Sequence, residues 1–127
     1  MERMLSHWWW EIRLIGPQEQ HFVDALAVIA RAREAGVTGF LNISTRQCEW
    51  ADIIAVAERE ADVWASVGIH PHEADEHPDV GAAKLIEKAR HPRVVGIGET
   101  GLDYYRLNGR SIEQMGWQRE RFRRHVR

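Results

Sequence analysis

The chain has a single cysteine, Cys48, so it can form neither an internal disulfide nor a cysteine-based zinc site, and a reducing cytoplasm is the expected compartment. No stretch approaches the roughly 18 consecutive apolar residues that a membrane helix needs. Charge imbalance is also small. The 17 Lys and Arg against 19 Asp and Glu leave a net charge of −2, which argues against a strongly basic module built to coat nucleic acid. No Gly-x-Ser-x-Gly elbow is present, and no base is spaced to activate Cys48, so nucleophilic catalysis has no support. The opening residues lack the small-residue cleavage site of a signal peptide. What is present, 44% hydrophobic and 28% charged residues over 127 positions, is the composition of one soluble domain and disfavours disorder.

Short β-branched runs alternate with longer stretches of helical spacing, the pattern of repeated βα units on a parallel sheet. About four units are legible. The first strand is expected at Glu11 to Ile15, followed by a helix carrying Phe22, Leu26, Ile29, Ala30 and Ala35 inward and stopping at Gly36, a favoured residue just past a helix end. The second strand is expected at Thr38 to Ser44, with a helix from Gln47 to Glu60 that turns Ile53, Ile54, Val56 and Ala57 inward. The third is Val63 to Gly68, followed by a helix over Ala82 to Arg90, and the fourth is Val94 to Gly98. A last helix from about Ile112 has no capping glycine and no trailing proline, so the chain is expected to stop inside a longer fold.

The whole is expected to be one partial domain, residues 1–127, with 1–24 as an atypical first unit. Units of roughly 25 to 30 residues, repeated eight times, would make the roughly 250 residues of a closed (β/α)8 barrel. An open doubly wound sheet also fits, and on length alone it is preferred.

Three strand ends carry polar residues. After the second stand Asn42, Ser44 and Thr45, either a hydrogen-bonding floor or the cap of the next helix, and a cap is the commoner use of such residues. After the third, His70 follows an apolar strand directly and is held in direction by Pro71, at the sheet edge where parallel folds place their sites; there it could bind a metal or a phosphate oxygen, or be a solvated ring. After the fourth, Glu99 sits between Gly98 and Gly101, where an unpaired charge is costly, so it wants a metal or an arginine. Asp103, four residues on, could bring a second carboxylate to the same cleft. Gly96, Gly98 and Gly101 match a dinucleotide-loop spacing, but the two acids would repel a pyrophosphate and no helix pattern opens at Gly101. Arg119, Arg121, Arg123, Arg124 and Arg127 alternate with Trp117, Phe122 and Val126 and read as the solvated face of an amphipathic helix. Trp8-Trp9-Trp10 fits no period.

Ala35-Gly-Val-Thr-Gly-Phe-Leu-Asn-Ile-Ser44, Val67-Gly-Ile-His-Pro-His72, Val94-Val-Gly-Ile-Gly-Glu-Thr-Gly-Leu-Asp-Tyr-Tyr105 and Trp117-Gln-Arg-Glu-Arg-Phe122 together resemble the first half of a TatD-family metal-dependent deoxyribonuclease. The resemblance implies a partial (β/α)8 TIM barrel of about four parallel βα units rather than a doubly wound sheet. It implies hydrolysis of phosphodiester bonds in DNA, with a divalent ion, Mg, Mn or Zn, activating water. It makes Glu99 a metal ligand, places His70 beside the site to assist the phosphate or a water, and makes Asp103 a supporting or substrate-facing acid. The His-x-His pair with which most members begin has no counterpart in Leu14-Ile-Gly-Pro-Gln-Glu-Gln-His21, and the family's later ligands fall beyond residue 127. A membrane or disulfide partner is not expected. Two rivals stand beside this reading: a non-catalytic truncated remnant and a free-standing doubly wound ligand-binding module. A different ester substrate, such as RNA, is a third possibility.

Overall fold

The computed structural model describes residues 18–126. The expected strand Glu11 to Ile15 and the Trp8 to Trp10 run lie outside the described residues. Three strands, β1 (Phe40–Asn42), β2 (Val63–Val67) and β3 (Val94–Ile97), pair in parallel in the order β1-β2-β3. Phe40 lies opposite Val63 and Asn42 opposite Ala65, while the β2–β3 register slips between Ala65 and Ser66 before Val67 meets Ile97. The helices are α1 (Gln18–Glu34), α2 (Trp50–Arg59), α3 (Ala82–Ala89) and α4 (Gly116–Val126). None of these is long and apolar enough to cross a membrane.

The hydrophobic pattern explains the layering. Val63, Ala65 and Val67, two apart along β2, are fully buried with Phe40, Ala25 and Ile29 of α1, Trp50, Ile53, Val56 and Ala57 of α2, and Leu85 of α3 in one cluster. Strand β3 instead leaves Val95 60% and Ile97 38% exposed. Each connection adds the next strand beside the last, with no reversal of order. A doubly wound sheet needs such a reversal and helices on both faces, so the expectation drawn from length alone is corrected in favour of a barrel arc.

Several boundaries differ from expectation for local reasons. Each strand is shorter than its β-branched run, because its last residues leave the ladder to bond across strand ends, as described below. The helix expected from Gln47 begins as a 3-10 turn, Gln47–Glu49, before α2. In α1 only Ala25 and Ile29 of the described side chains are fully buried; Ala30 and Ala35 are exposed. The helix ends as expected. Gly36, at φ +91°, lets its own N–H reach the Arg33 carbonyl at 2.9 Å and Val37 reach Ala32 at 3.0 Å, satisfying carbonyls the last turn leaves open.

Helix α4 departs furthest. It begins at Gly116, not Ile112, because the Ile112 and Glu113 carbonyls are taken by the Arg119 guanidinium at 2.8 and 2.9 Å. Arg119, Arg121 and Arg124 turn to backbone carbonyls, and of the described arginines on this helix only Arg123 is on the solvated face. Arg121 is only 4% exposed and donates to the Val80 and His77 carbonyls, while Arg124 donates to Pro78 at 2.8 Å. Phe122 and Val126 are exposed, as are Glu120 and Arg123. The loop before α3 has carbonyls with no ladder to join, and guanidinium donors fill that need better than aliphatic contact could. Burial, with Arg124 adding to it, holds the Arg121 pKa below the ordinary arginine value.

His125 completes the attachment. Its Nδ1–H donates to the Arg121 carbonyl at 2.8 Å, and its Nε2 accepts the Ile69 N–H at 3.1 Å, which ties α4 to the end of β2. An accepting Nε2 requires the neutral ring. Burial lowers the His125 pKa, the Arg121 carbonyl opposes this, and the Arg121 charge lowers it again. The unfolded chain protonates His125 near the ordinary value of about 6.5, whereas the fold resists to lower pH. Stability from the neutral ring is therefore complete above about 6.5 and is lost as pH falls through the lowered folded value. We expect the melting temperature to fall on acidification from about pH 7.5 to about pH 5 more steeply for the unaltered chain than for His125→Gln. Parallel Tm–pH curves for the two proteins would show that His125 is not the responsive group.

Candidate active site

The C-terminal ends of the three strands converge on one hydroxyl. Ser44 Oγ accepts the Gly68 N–H at 2.9 Å and lies 3.1 Å from the Gly98 carbonyl and 3.3 Å from that of Gly68. Ser66 Oγ, on the middle strand, donates to the same Gly98 carbonyl at 2.9 Å and lies 3.4 Å from the Ser44 N–H. The Ser44 carbonyl accepts the Glu99 N–H at 2.8 Å, and the Thr45 carbonyl accepts the His70 N–H at 2.8 Å. Backbone at this level is packed so closely that a Cβ on Gly68 would lie 2.3 Å from Gly98 C. Only glycine fits there. Trp50 closes the floor from below, donating its indole N–H to the Gly68 carbonyl at 3.1 Å.

Of the two uses left open for Asn42, Ser44 and Thr45, Ser44 is floor. Thr45 is bound to the following turn, donating its N–H to Glu49 at 2.8 Å. Asn42 does neither: its amide is fully buried, with no hydrogen-bond partner on either atom among the described residues.

The His-Pro-His segment shapes itself. His70 stands just before the 3-10 turn Pro71–Glu73, Pro71 supplies the fixed φ of a first helical residue, and His70 Nδ1 accepts the His72 N–H at 3.1 Å. An Nδ1 that accepts carries no proton, so neutral His70 presents Nε2–H as a donor. Arg46 pairs with both oxygens of Glu73 at 2.8 and 2.9 Å, pinning the turn to the loop after β1. That contact holds the Glu73 carboxyl below the usual carboxylate range despite its burial.

The structure brings His72, which the sequence marked only as part of a motif, to Asp103. His72 Nε2 lies 2.8 Å from Asp103 Oδ2, and the two imidazoles of His70 and His72 stack with centroids 5.6 Å apart. Asp103 Oδ1 accepts the Tyr105 N–H at 3.0 Å. Partial burial works against ionisation of Asp103, but the Tyr105, His72 and Arg106 hydrogen bonds outweigh it and hold the carboxyl below its ordinary value. The Asp103 backbone is held by Gln118 of α4, whose importance no spacing in the sequence signalled.

Glu99 differs. It is half-buried, and its carboxylate makes no hydrogen bond or ion pair among the described residues, so the arginine partner open at the sequence level is not found there. A free carboxylate at a strand end is a suitable oxygen donor for a divalent cation. No group of three or more His, Cys, Asp or Glu that could hold an ion occurs among the described residues, so these residues do not by themselves close a coordination shell. The stretch from Thr100 to Met115 contains no helix or strand, which agrees with the rejection of a dinucleotide loop.

Comparison with known proteins gives a consistent result. The family model described as TatD related DNase matches residues 17–127. A protein of Musicola paradisiaca named 3'-5' ssDNA/RNA exonuclease TatD is 45% identical over 92 residues, covering 72% of this chain and 35% of its own length. One of the same name from Erwinia tasmaniensis is 44% identical over 84 residues, covering 65% and 32%. The crystal structure of the TatD homologue YjjV from Escherichia coli K12 superposes with a TM-score of 0.69 at 28% identity, covering 82% of this chain and 39% of that one. The chain thus spans about a third of the length of these relatives.

Removing the floor hydroxyl tests the arrangement. Ser44→Ala leaves the Gly68 N–H without its acceptor in a dry site, and we expect a loss of about 2 kcal/mol in unfolding free energy, read from the urea midpoint at unchanged slope. A loss under about 0.5 kcal/mol would show that the strand ends are held by other means.

Proposed function

Because the chain belongs to the TatD related DNase family, we propose that it carries part of the active site of a cytoplasmic, metal-dependent nuclease that hydrolyses phosphodiester bonds in DNA, acting on single strands from the 3' end as its relatives' names state. The single observation that carries this reading is the free Glu99 carboxylate at a strand end, on a residue whose backbone, like that of His70, is bonded to the loop after β1. In this reading Glu99 is a metal ligand, His70 a catalytic donor and Asp103 a supporting acid.

A divalent ion held in part by Glu99, Mg, Mn or Zn, would supply neutralisation of phosphate charge and a more acidic water. The protein's own residues do the rest. The Glu99 N–H bond to the Ser44 carbonyl holds the Glu99 backbone at the sheet edge. His70 offers Nε2–H to a phosphate oxygen, where negative charge grows as the attacking oxygen joins phosphorus and the bond to the leaving sugar oxygen breaks. His72, whose Nε2 faces Asp103, keeps Nδ1 as an acceptor beside it. The chain as a whole has 17 Lys and Arg against 19 Asp and Glu, in keeping with a substrate engaged through the reacting phosphate and not through a long electrostatic track.

The test is release of nucleotides from 3'-labelled single-stranded DNA by the full chain with Mg, Mn or Zn. Activity should vanish with EDTA and fall at least about 100-fold in Glu99→Ala. Cleavage undiminished in Glu99→Ala would remove the ligand assignment. Absence of cleavage with every ion would leave the non-catalytic remnant as the better account.

A further inference from the structure

We propose that Gln118 is a positioning residue of this site: from the first turn of α4 its carboxamide grips the Asp103 backbone so that the Asp103 carboxylate meets His72. The inference rests on the reading above that the loop after β3 carries the site.

The Gln118 side chain is 0% exposed, so both of its polar atoms need partners inside the protein. Both are spent on one residue. Oε1 accepts the Asp103 N–H at 2.9 Å, and Nε2 donates to the Asp103 carbonyl at 3.3 Å. This two-point pairing is what a neighbouring strand would offer, and Asp103 has no such neighbour, since no strand or helix occurs between β3 and α4. The loop between them turns at Asn108, with φ 51°, and Gly109, and the local hydrogen bonds of Asp103 are made by its carboxylate, to the Tyr105 N–H, and not by its backbone N–H and carbonyl, which Gln118 takes.

The grip fixes where the Asp103 side chain leaves the backbone, and Oδ2 then lies 2.8 Å from His72 Nε2. His72 is itself set by the His70 acceptor at 3.1 Å. Arg119, the next residue of α4, reaches the Tyr104 hydroxyl at 3.4 Å, and His125, two turns on, reaches Ile69. Helix α4 therefore indexes the loop after β3 against the loop after β2, and Gln118 is the contact that acts on Asp103. A purely structural amide would stabilise the loop without governing the Asp103–His72 contact.

The experiment is nuclear magnetic resonance on the full chain and on Gln118→Met, which keeps side-chain length and removes both hydrogen bonds. In the unaltered chain the His72 Nε2 proton, shielded by the carboxylate, should give a resolved downfield resonance. In Gln118→Met that resonance should be lost, and the Asp103 carboxyl titration should move up toward that of an ordinary aspartate, while amide signals of β1 to β3 keep their positions. A folded variant with both signals unchanged overturns the proposal. If the variant does not fold, hydrogen exchange in the unaltered chain decides: the Asp103 amide should exchange at least about 100-fold more slowly than in a free peptide, and exchange at the peptide rate overturns the proposal. None of these readouts uses metal or nucleic acid. Failure of the nuclease reading leaves them standing, and an active chain with an unmoved His72 signal sinks this inference alone.

Discussion

The structure depends on the close approach of two glycine backbones, Gly68 and Gly98, at the C-terminal ends of β2 and β3. With a Cβ excluded at Gly68 by backbone atoms 2.3 to 2.5 Å away, no side chain can stand between the strand ends. Polar backbone groups left there without water must be paired by something small. Ser44 and Ser66 supply two hydroxyls, and the Gly98 carbonyl lies within reach of both. The consequence reaches past the floor. The residues leaving the ladder at this level, His70 and Glu99, each give their N–H to the loop after β1, so the backbone of both is placed by the same packing.

Helix α4 does by polar contact what the other helices do by apolar burial. Helices α1 to α3 present Ile29, Ile53, Val56 and Leu85 to the sheet. Helix α4 presents Gln118, Arg121 and His125, whose partners are backbone groups of the loops after β2 and β3. Loops at the functional edge of a sheet have few apolar side chains to offer and many unpaired carbonyls and N–H groups, so a helix that packs on them must carry donors and acceptors. Such a helix holds loops in register with one another, which is what a site assembled from two of them requires.

That difference also explains what could be read from the sequence. The strands and first three helices follow from the β-branched runs, the 3.6-residue spacing and Gly36, because apolar burial is their main driving force and leaves a periodic trace. His70, Glu99 and Asp103 were marked by position, each just beyond an apolar strand. The role of Ser44 was half legible, since a serine after a strand suits a cap and a floor equally. Arg121 and Gln118 were not legible, because a buried guanidinium and a surface one occupy the same slot in a helical pattern. The Arg121 contacts span 41 and 44 residues of sequence, and no local rule reports a partner that distant. The same limit hid His72, whose carboxylate partner lies 31 residues away.

Two carboxylates four residues apart in one loop, Glu99 and Asp103, end in opposite states. Asp103 has a donor on each oxygen and a pKa held down by them, so its charge is already compensated inside the protein. A cation arriving there would compete with the imidazole and the Tyr105 N–H for the same lone pairs. Glu99 has no competitor among the described residues, so its oxygens are free, while its backbone is tied to Ser44. A half-buried carboxylate without a partner gains more from a cation than one already paired, because it has no protein hydrogen bonds to give up. A cation reaching this edge would meet less competition at Glu99 than at Asp103, whose oxygens already face His72 and the Tyr105 N–H.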